Sequence, residues 1–108
     1  MPIVARIWFG KTLSASHAEY IEYVKKTGIS SLRQTPGNRG VLLLSKADQE
    51  PEIGVISFWD SRKSIEAFAG KDISRAVYYP EDSKYLVNQD PYLLHYDVPV
   101  IEGIDLKK

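Results

Sequence analysis

The sequence predicts an α+β domain with the element order β-α-β-β-α-β and a four-stranded antiparallel sheet. Runs rich in β-branched and aromatic residues recur at 3–9, 41–44, 53–59 and 92–98. A stretch of helical periodicity separates the first run from the second, and another separates the third from the fourth. In the first three runs both alternating sets of side chains are largely apolar, so each side of the sheet needs cover.

In the first strand Ile3, Ala5, Ile7 and Phe9 point to one face and Val4, Arg6 and Trp8 to the other, and Gly10 ends it. A helix starts at Ser14 or Ser16, where Ser16 and Glu19 have the spacing of a capping box. Ala18, Ile21, Val24 and Gly28 follow as its inward stripe. Gly28 kinks or interrupts the helix, residues 29–33 resume it, and Pro36-Gly37-Asn38 stops it. Val41-Leu42-Leu43-Leu44 reads as a strand buried on both faces, residues 46–51 as a polar hairpin loop, and 53–59 as the third strand. Gly54 there marks a bulge or a close backbone approach. Asp60-Ser61 caps a second helix with Ile65, Phe68 and Ala69 inward, and Gly70 breaks it. Residues 73–77 read as a short helical piece closed by Pro80, and 81–88 as one more turn. Pro91 opens the last strand and Pro99 ends it, leaving a tail over 99–108 with Val100, Ile101, Ile104 and Leu106. The order is that of the ferredoxin-like, split βαβ fold.

Two helices cover only one face of such a sheet. An uncovered apolar face is a liability for a monomer, and a second copy packed face to face by a two-fold axis removes it. A homodimer forming an α/β barrel is therefore expected, with the apolar tail reaching across to the partner.

The length of 108 residues fits a single domain over 1–108. Fourteen basic and fourteen acidic side chains give zero net charge, which argues against a nucleic-acid partner. Without cysteine there is no disulfide, thiolate nucleophile or Cys-based zinc site. No stretch approaches the roughly 20 apolar residues of a membrane span. The start, Met1-Pro2-Ile3-Val4-Ala5-Arg6, lacks a basic leader followed by an apolar core, so a cytoplasmic setting is expected. His17 and His95 lie on different elements, so no metal site is expected. His17, in the first helical turn, reads as solvated. Pro36-Gly37-Asn38-Arg39-Gly40 precedes a strand, whereas a phosphate loop opens a helix.

Phe58-Trp59-Asp60-Ser61, Ile65, Phe68-Ala69-Gly70 and Ala76-Val77-Tyr78-Tyr79-Pro80-Glu81-Asp82 resemble small proteins of the antibiotic biosynthesis monooxygenase superfamily. Arg6-Ile7-Trp8 and His95-Tyr96-Asp97-Val98 fit the same subgroup, and the resemblance runs from about Ile3 to Val98. It implies a ferredoxin-like protomer in a dimeric α/β barrel. It also implies a cofactor-independent oxygenase-like activity on a small aromatic or enolisable substrate. A haem-binding or haem-degrading protein is a further alternative: such relatives use an Asn on the first strand, a Trp that Trp59 could match, and a His on the second helix, and the Asn and the His are not present here.

Cofactor-free oxygenation needs a base, a dry aromatic-lined cavity and a donor near the developing oxyanion. His95 is the candidate base, since an unperturbed imidazole titrates near pH 6.5; its plain structural role is a hydrogen bond in the sheet or interface. Tyr79 and Tyr78, in the irregular segment before Pro80, could donate to a substrate oxygen or simply pack over the second helix. Arg6, mid-strand among apolar neighbours, would bind a carboxylate or enolate, or else form a salt bridge, to Asp97 on an adjacent strand or across the dimer. Trp59 borders the expected pocket or packs in the core. Trp8 has the same alternatives, with the subunit interface favoured. The competing functional class is a non-catalytic dimer that binds a small hydrophobic or aromatic ligand or serves as a stress or regulatory module.

Overall fold

The computed structural model describes residues 2–107. Four antiparallel strands, β1 (Ile3–Lys11), β2 (Asn38–Lys46), β3 (Glu52–Trp59) and β4 (Leu94–Val98), lie in the order β2-β3-β1-β4. This is the α+β, ferredoxin-like arrangement the element order predicts.

The first helical region has three parts: α1 (His17–Val24), a π-helical stretch (Lys25–Ile29) and α2 (Ser30–Gln34). The widened turn falls around Gly28, where the sequence predicts a kink. Thr27 Oγ1 there donates to the Tyr23 carbonyl at 2.8 Å. The capping box does not form: Ser16 makes no side-chain cap bond, and its Oγ is buried without a partner. The inward stripe is His17, Tyr20, Val24 and Leu32, and Ala18 is exposed. His17 is buried between Thr12 Oγ1 (2.7 Å) and Ser45 Oγ (2.8 Å), not solvated.

The second helix, α3 (Arg62–Ala69), is capped by Ser61, whose Oγ accepts from Ser64 N at 3.2 Å, and it fully buries Ile65. Asp60 pairs instead with Arg39 at 2.8 Å. Burying a side chain such as Ile65 contributes on the order of 1.5–3 kcal/mol. Residues 73–77 form no helix. Asp72 Oδ1 accepts from Ser74 N, Ala76 N donates to Pro91 O and Leu93 N to Ser74 O, so the segment's backbone groups serve a turn and a bridge beside β4. The last turn is α4 (Asp82–Tyr85), within the expected 81–88.

Strand parity assigns the two faces. Val4, Arg6 and Trp8 of β1 and Ile53, Val55, Ser57 and Trp59 of β3 face the helices; they are buried or pack against the buried clusters there. On the other face one register row reads Leu42, Ile56, Ile7 and Leu94 across all four strands. Gly54 lies under the Phe9 ring, the close approach its position in the strand suggests. Phe9, Leu42, Leu44, Leu94 and Tyr96 on this face remain exposed. The tail returns to its own sheet at the far edge. Leu106 packs on Gly40, and Arg39 Nε donates to the Lys107 carbonyl at 2.9 Å. Val100, Ile101 and Ile104 are exposed along the way.

The core under the helices is split in two. Tyr20, Val24, Ile53, Tyr85 and Leu86 form one buried cluster, with Trp8 packed against it. Val4, Leu32, Trp59 and Ile65 form the other, with Phe68 packed against it. Strand β1 therefore sets Val4 in one cluster, associates Trp8 with the other, and places Arg6 between them.

Candidate functional site

The gap between the two clusters is a half-open pocket of about 540 Å³ with the solvent in its mouth counted in. Its sheet wall is Arg6 and Trp8 of β1, Val55 and Ser57 of β3, and Leu93. Its helix wall includes Tyr20, Val24, Thr27, Gly28 and Leu32, and Phe68 closes one end. Val77, Tyr78, Tyr79 and Asp82, from the crossover after α3, complete it. The π-helical stretch thus lies against the pocket, a frequent placement for such irregular turns. Gly28 has only the Tyr79 ring edge near it, 3.8 Å from where a Cβ would sit.

Arg6 is the pocket's cation, and the residue is 4% exposed. Nη1 donates to the Ile73 carbonyl at 2.5 Å, Nη2 to the Arg75 carbonyl at 3.0 Å, and Cζ stands 5.7 Å from the Phe68 ring centre. Nη1 also meets His95 Nε2 at 3.1 Å. Arginine offers only donors, so His95 Nε2 must accept and the imidazole is neutral with its proton on Nδ1. Burial, then the nearby Arg6 and Arg62 charges, pull the His95 pKa down to about 4. Burial also draws the Arg6 pKa down to about 10. The expected Arg6–Asp97 bridge is absent, because Asp97 pairs with Arg62 at 2.7 Å.

Trp8 and Tyr78 act together. Trp8 Nε1 donates to the Tyr78 hydroxyl at 3.2 Å, the rings meet edge to face at 6.2 Å, and the hydroxyl donates onward to the Asp90 carbonyl at 2.6 Å. Tyr78 is therefore committed to holding the wall, and burial raises its pKa. Tyr79 lines the pocket, and its hydroxyl makes no hydrogen bond among the described residues. Asp82 is buried, accepting from the Tyr20 hydroxyl at 2.9 Å and from Tyr79 N at 2.6 Å. Burial pushes its pKa up.

The structure thus brings Arg6, Trp8, Tyr78 and Tyr79 to one cavity and leaves two candidates outside it. Trp59 is fully buried, donates from Nε1 to Ser57 Oγ at 2.8 Å, and is a core residue without access to the pocket. His95 stands behind Arg6, its lone pair engaged, and does not line the cavity. The interface favoured for Trp8 gives way to the pocket, since its strand parity matches that of Arg6. Asp82, Tyr20 and Ser57 are pocket residues that sequence reading passes over. Asp82 carried a usable signal, a carboxylate between Tyr78-Tyr79-Pro80 and Tyr85 in an aromatic-rich segment. No cluster that could hold a metal ion is found among the described residues.

No protein-family model and no curated protein sequence matches the chain. Its fold is similar to the crystal structure of NE2512, a protein of unknown function from Nitrosomonas europaea. The TM-score is 0.72 at 12% identity, over 94% of each chain. That likeness shows the shared fold. No helix among the described residues is long and apolar enough to cross a membrane.

Proposed function

We propose that this protein is a homodimeric small-molecule-binding protein whose ligand occupies the pocket between Arg6, Trp8, Phe68 and Tyr79. The observation that carries this is the buried Arg6 guanidinium on the wall of an aromatic-lined cavity between the two halves of the core. Pockets of this make-up, mostly apolar with a few placed polar groups, are the usual form of ligand sites. The exposed apolar row through Leu42 and Leu94 supports a second copy as the cover for the opposite face.

Gly28→Leu tests the pocket reading, because Gly28 lines the pocket and a Cβ there meets the Tyr79 ring edge at an ordinary 3.8 Å. A neutral aromatic probe such as phenol is expected to bind the unaltered protein saturably by calorimetry. The folded Gly28→Leu protein should bind it at least about tenfold more weakly. Equal binding by both proteins would place the probe elsewhere and overturn the reading.

A second reading is the cofactor-independent oxygenase that the sequence resemblance implies. What favours it is Asp82, a buried carboxyl with raised pKa that lines the same cavity as Tyr79. A general base must reach the proton it abstracts, and Asp82 lines the cavity whereas His95 stands outside it with its lone pair on Arg6. Oxygen consumption over anthrone and quinol substrates tests this reading. No turnover, or turnover unchanged in Asp82→Asn and Tyr79→Phe, would remove it.

A further inference from the structure

Arg6 is a buried cation without an anion. Its partners are two backbone carbonyls and a neutral imidazole, and none of the ion pairs among the described residues includes it. A guanidinium carries five N–H donors. The three bonds to Ile73, His95 and Arg75 leave Nε–H and one hydrogen of Nη2 unengaged by the described residues. Withdrawing a charge from water without a counter-charge is costly, and sequences keep it where a ligand or partner completes it.

The position of that charge narrows the ligand. The guanidinium lines the cavity with the Phe68 ring against it, and Trp8 and Tyr79 form neighbouring walls. Asp82, the cavity's carboxylate, makes no ion pair with Arg6, and its oxygens accept from the Tyr20 hydroxyl and Tyr79 N–H. The cavity therefore has a guanidinium with two donors unengaged by the described residues on its wall, and aromatic side chains around it. Two N–H groups on one guanidinium suit the two oxygens of a carboxylate.

We infer that the ligand is a small aromatic carboxylate, its acid group paired with Arg6 and its ring against the aromatic walls. This rests on the ligand-pocket reading above and names the chemical class that pocket takes.

The test compares benzoate, benzamide, acetate and chloride on the full chain, by calorimetry and by the indole N–H signals of Trp8 and Trp59 in NMR spectra. Benzoate is expected to bind about tenfold or more tightly than benzamide, the scale of one charge-assisted hydrogen-bonded contact. It should shift Trp8 more than Trp59, which reaches the pocket only through its bond to Ser57, and acetate and chloride should compete only weakly. In Arg6→Gln the benzoate preference should vanish. Because that change also removes the bonds to the Ile73 and Arg75 carbonyls, the benzoate–benzamide comparison on the unaltered protein decides by itself. If benzamide binds as tightly as benzoate, the acid class is wrong while the pocket stands. If acetate or chloride matches benzoate, the site takes any anion and the aromatic part is wrong. If neither ring compound moves Trp8, the pocket reading itself fails.

Discussion

Arg6 Nη1 stands 3.1 Å from His95 Nε2, so the cation of the pocket is held by the residue that the sequence offers as its base. The pair joins β1 to β4 at directly opposed register positions. It orients the guanidinium, and it also removes the imidazole lone pair from chemistry.

The His95 pKa of about 4 lies below its ordinary 6.5. Between those values the unfolded chain binds a proton that the folded protein does not, so stability rises with pH across this window and falls as pH drops through it. Thermal midpoints measured from pH 6.5 down to 4 are expected to decline. His95→Gln keeps an acceptor for Arg6 and should flatten that slope. An NMR titration showing His95 ionising near 6.5 would contradict the assignment.

Tyr20→Phe removes the hydroxyl that Asp82 Oδ1 accepts from and leaves a buried carboxylate oxygen short of one partner. The expected loss is about 1–3 kcal/mol of unfolding free energy, measured by denaturant titration. An unchanged midpoint would show that water takes over the bond.

Gly10→Ala tests how tightly the pocket wall is set. An added Cβ would meet Trp8 Cζ2 at 2.6 Å and Leu86 Cδ2 at 2.9 Å. Overpacking of this kind costs about 1–3 kcal/mol and displaces the movable ring. A lowered midpoint with a shifted Trp8 signal is expected.

Leu94→Asp places a charge on the open sheet face, in the row of Leu42, Ile56 and Ile7. Light scattering is expected to report about twice the 12.2 kDa chain mass for the unaltered protein and the chain mass itself for the variant. A 12.2 kDa species for the unaltered protein at micromolar concentration would exclude the dimer.

The fold was legible because alternation is a local property. Val4, Arg6 and Trp8 share a face whatever lies far away in the chain, and Ser61 caps α3 with its own near neighbour Ser64. Residues 73–77 did not follow their local pattern, since their backbone groups serve Arg6, Pro91 and Leu93, partners distant in sequence. His17 was misread for the same reason, with Thr12 and Ser45 meeting it only once β1, α1 and β2 are assembled. Within the site, residue types that bind ligands were visible in Arg6, Trp8, Tyr78 and Tyr79. Periodicity could not separate Trp59, sealed in the core, from Trp8, on the pocket wall. Nor could it show that His95 spends its lone pair on Arg6.

The two tryptophans give the most direct test of the central claim, that the cavity beside Arg6 is the ligand site. Trp8 lines it, whereas Trp59 sits behind the wall and reaches it only through its bond to Ser57, so titration with a small aromatic acid, followed through both indole N–H signals, compares a wall residue with one behind it. A saturable shift of Trp8, larger than that of Trp59, is the predicted result. A static Trp8 under saturating ligand, or equal movement of both signals, would contradict it.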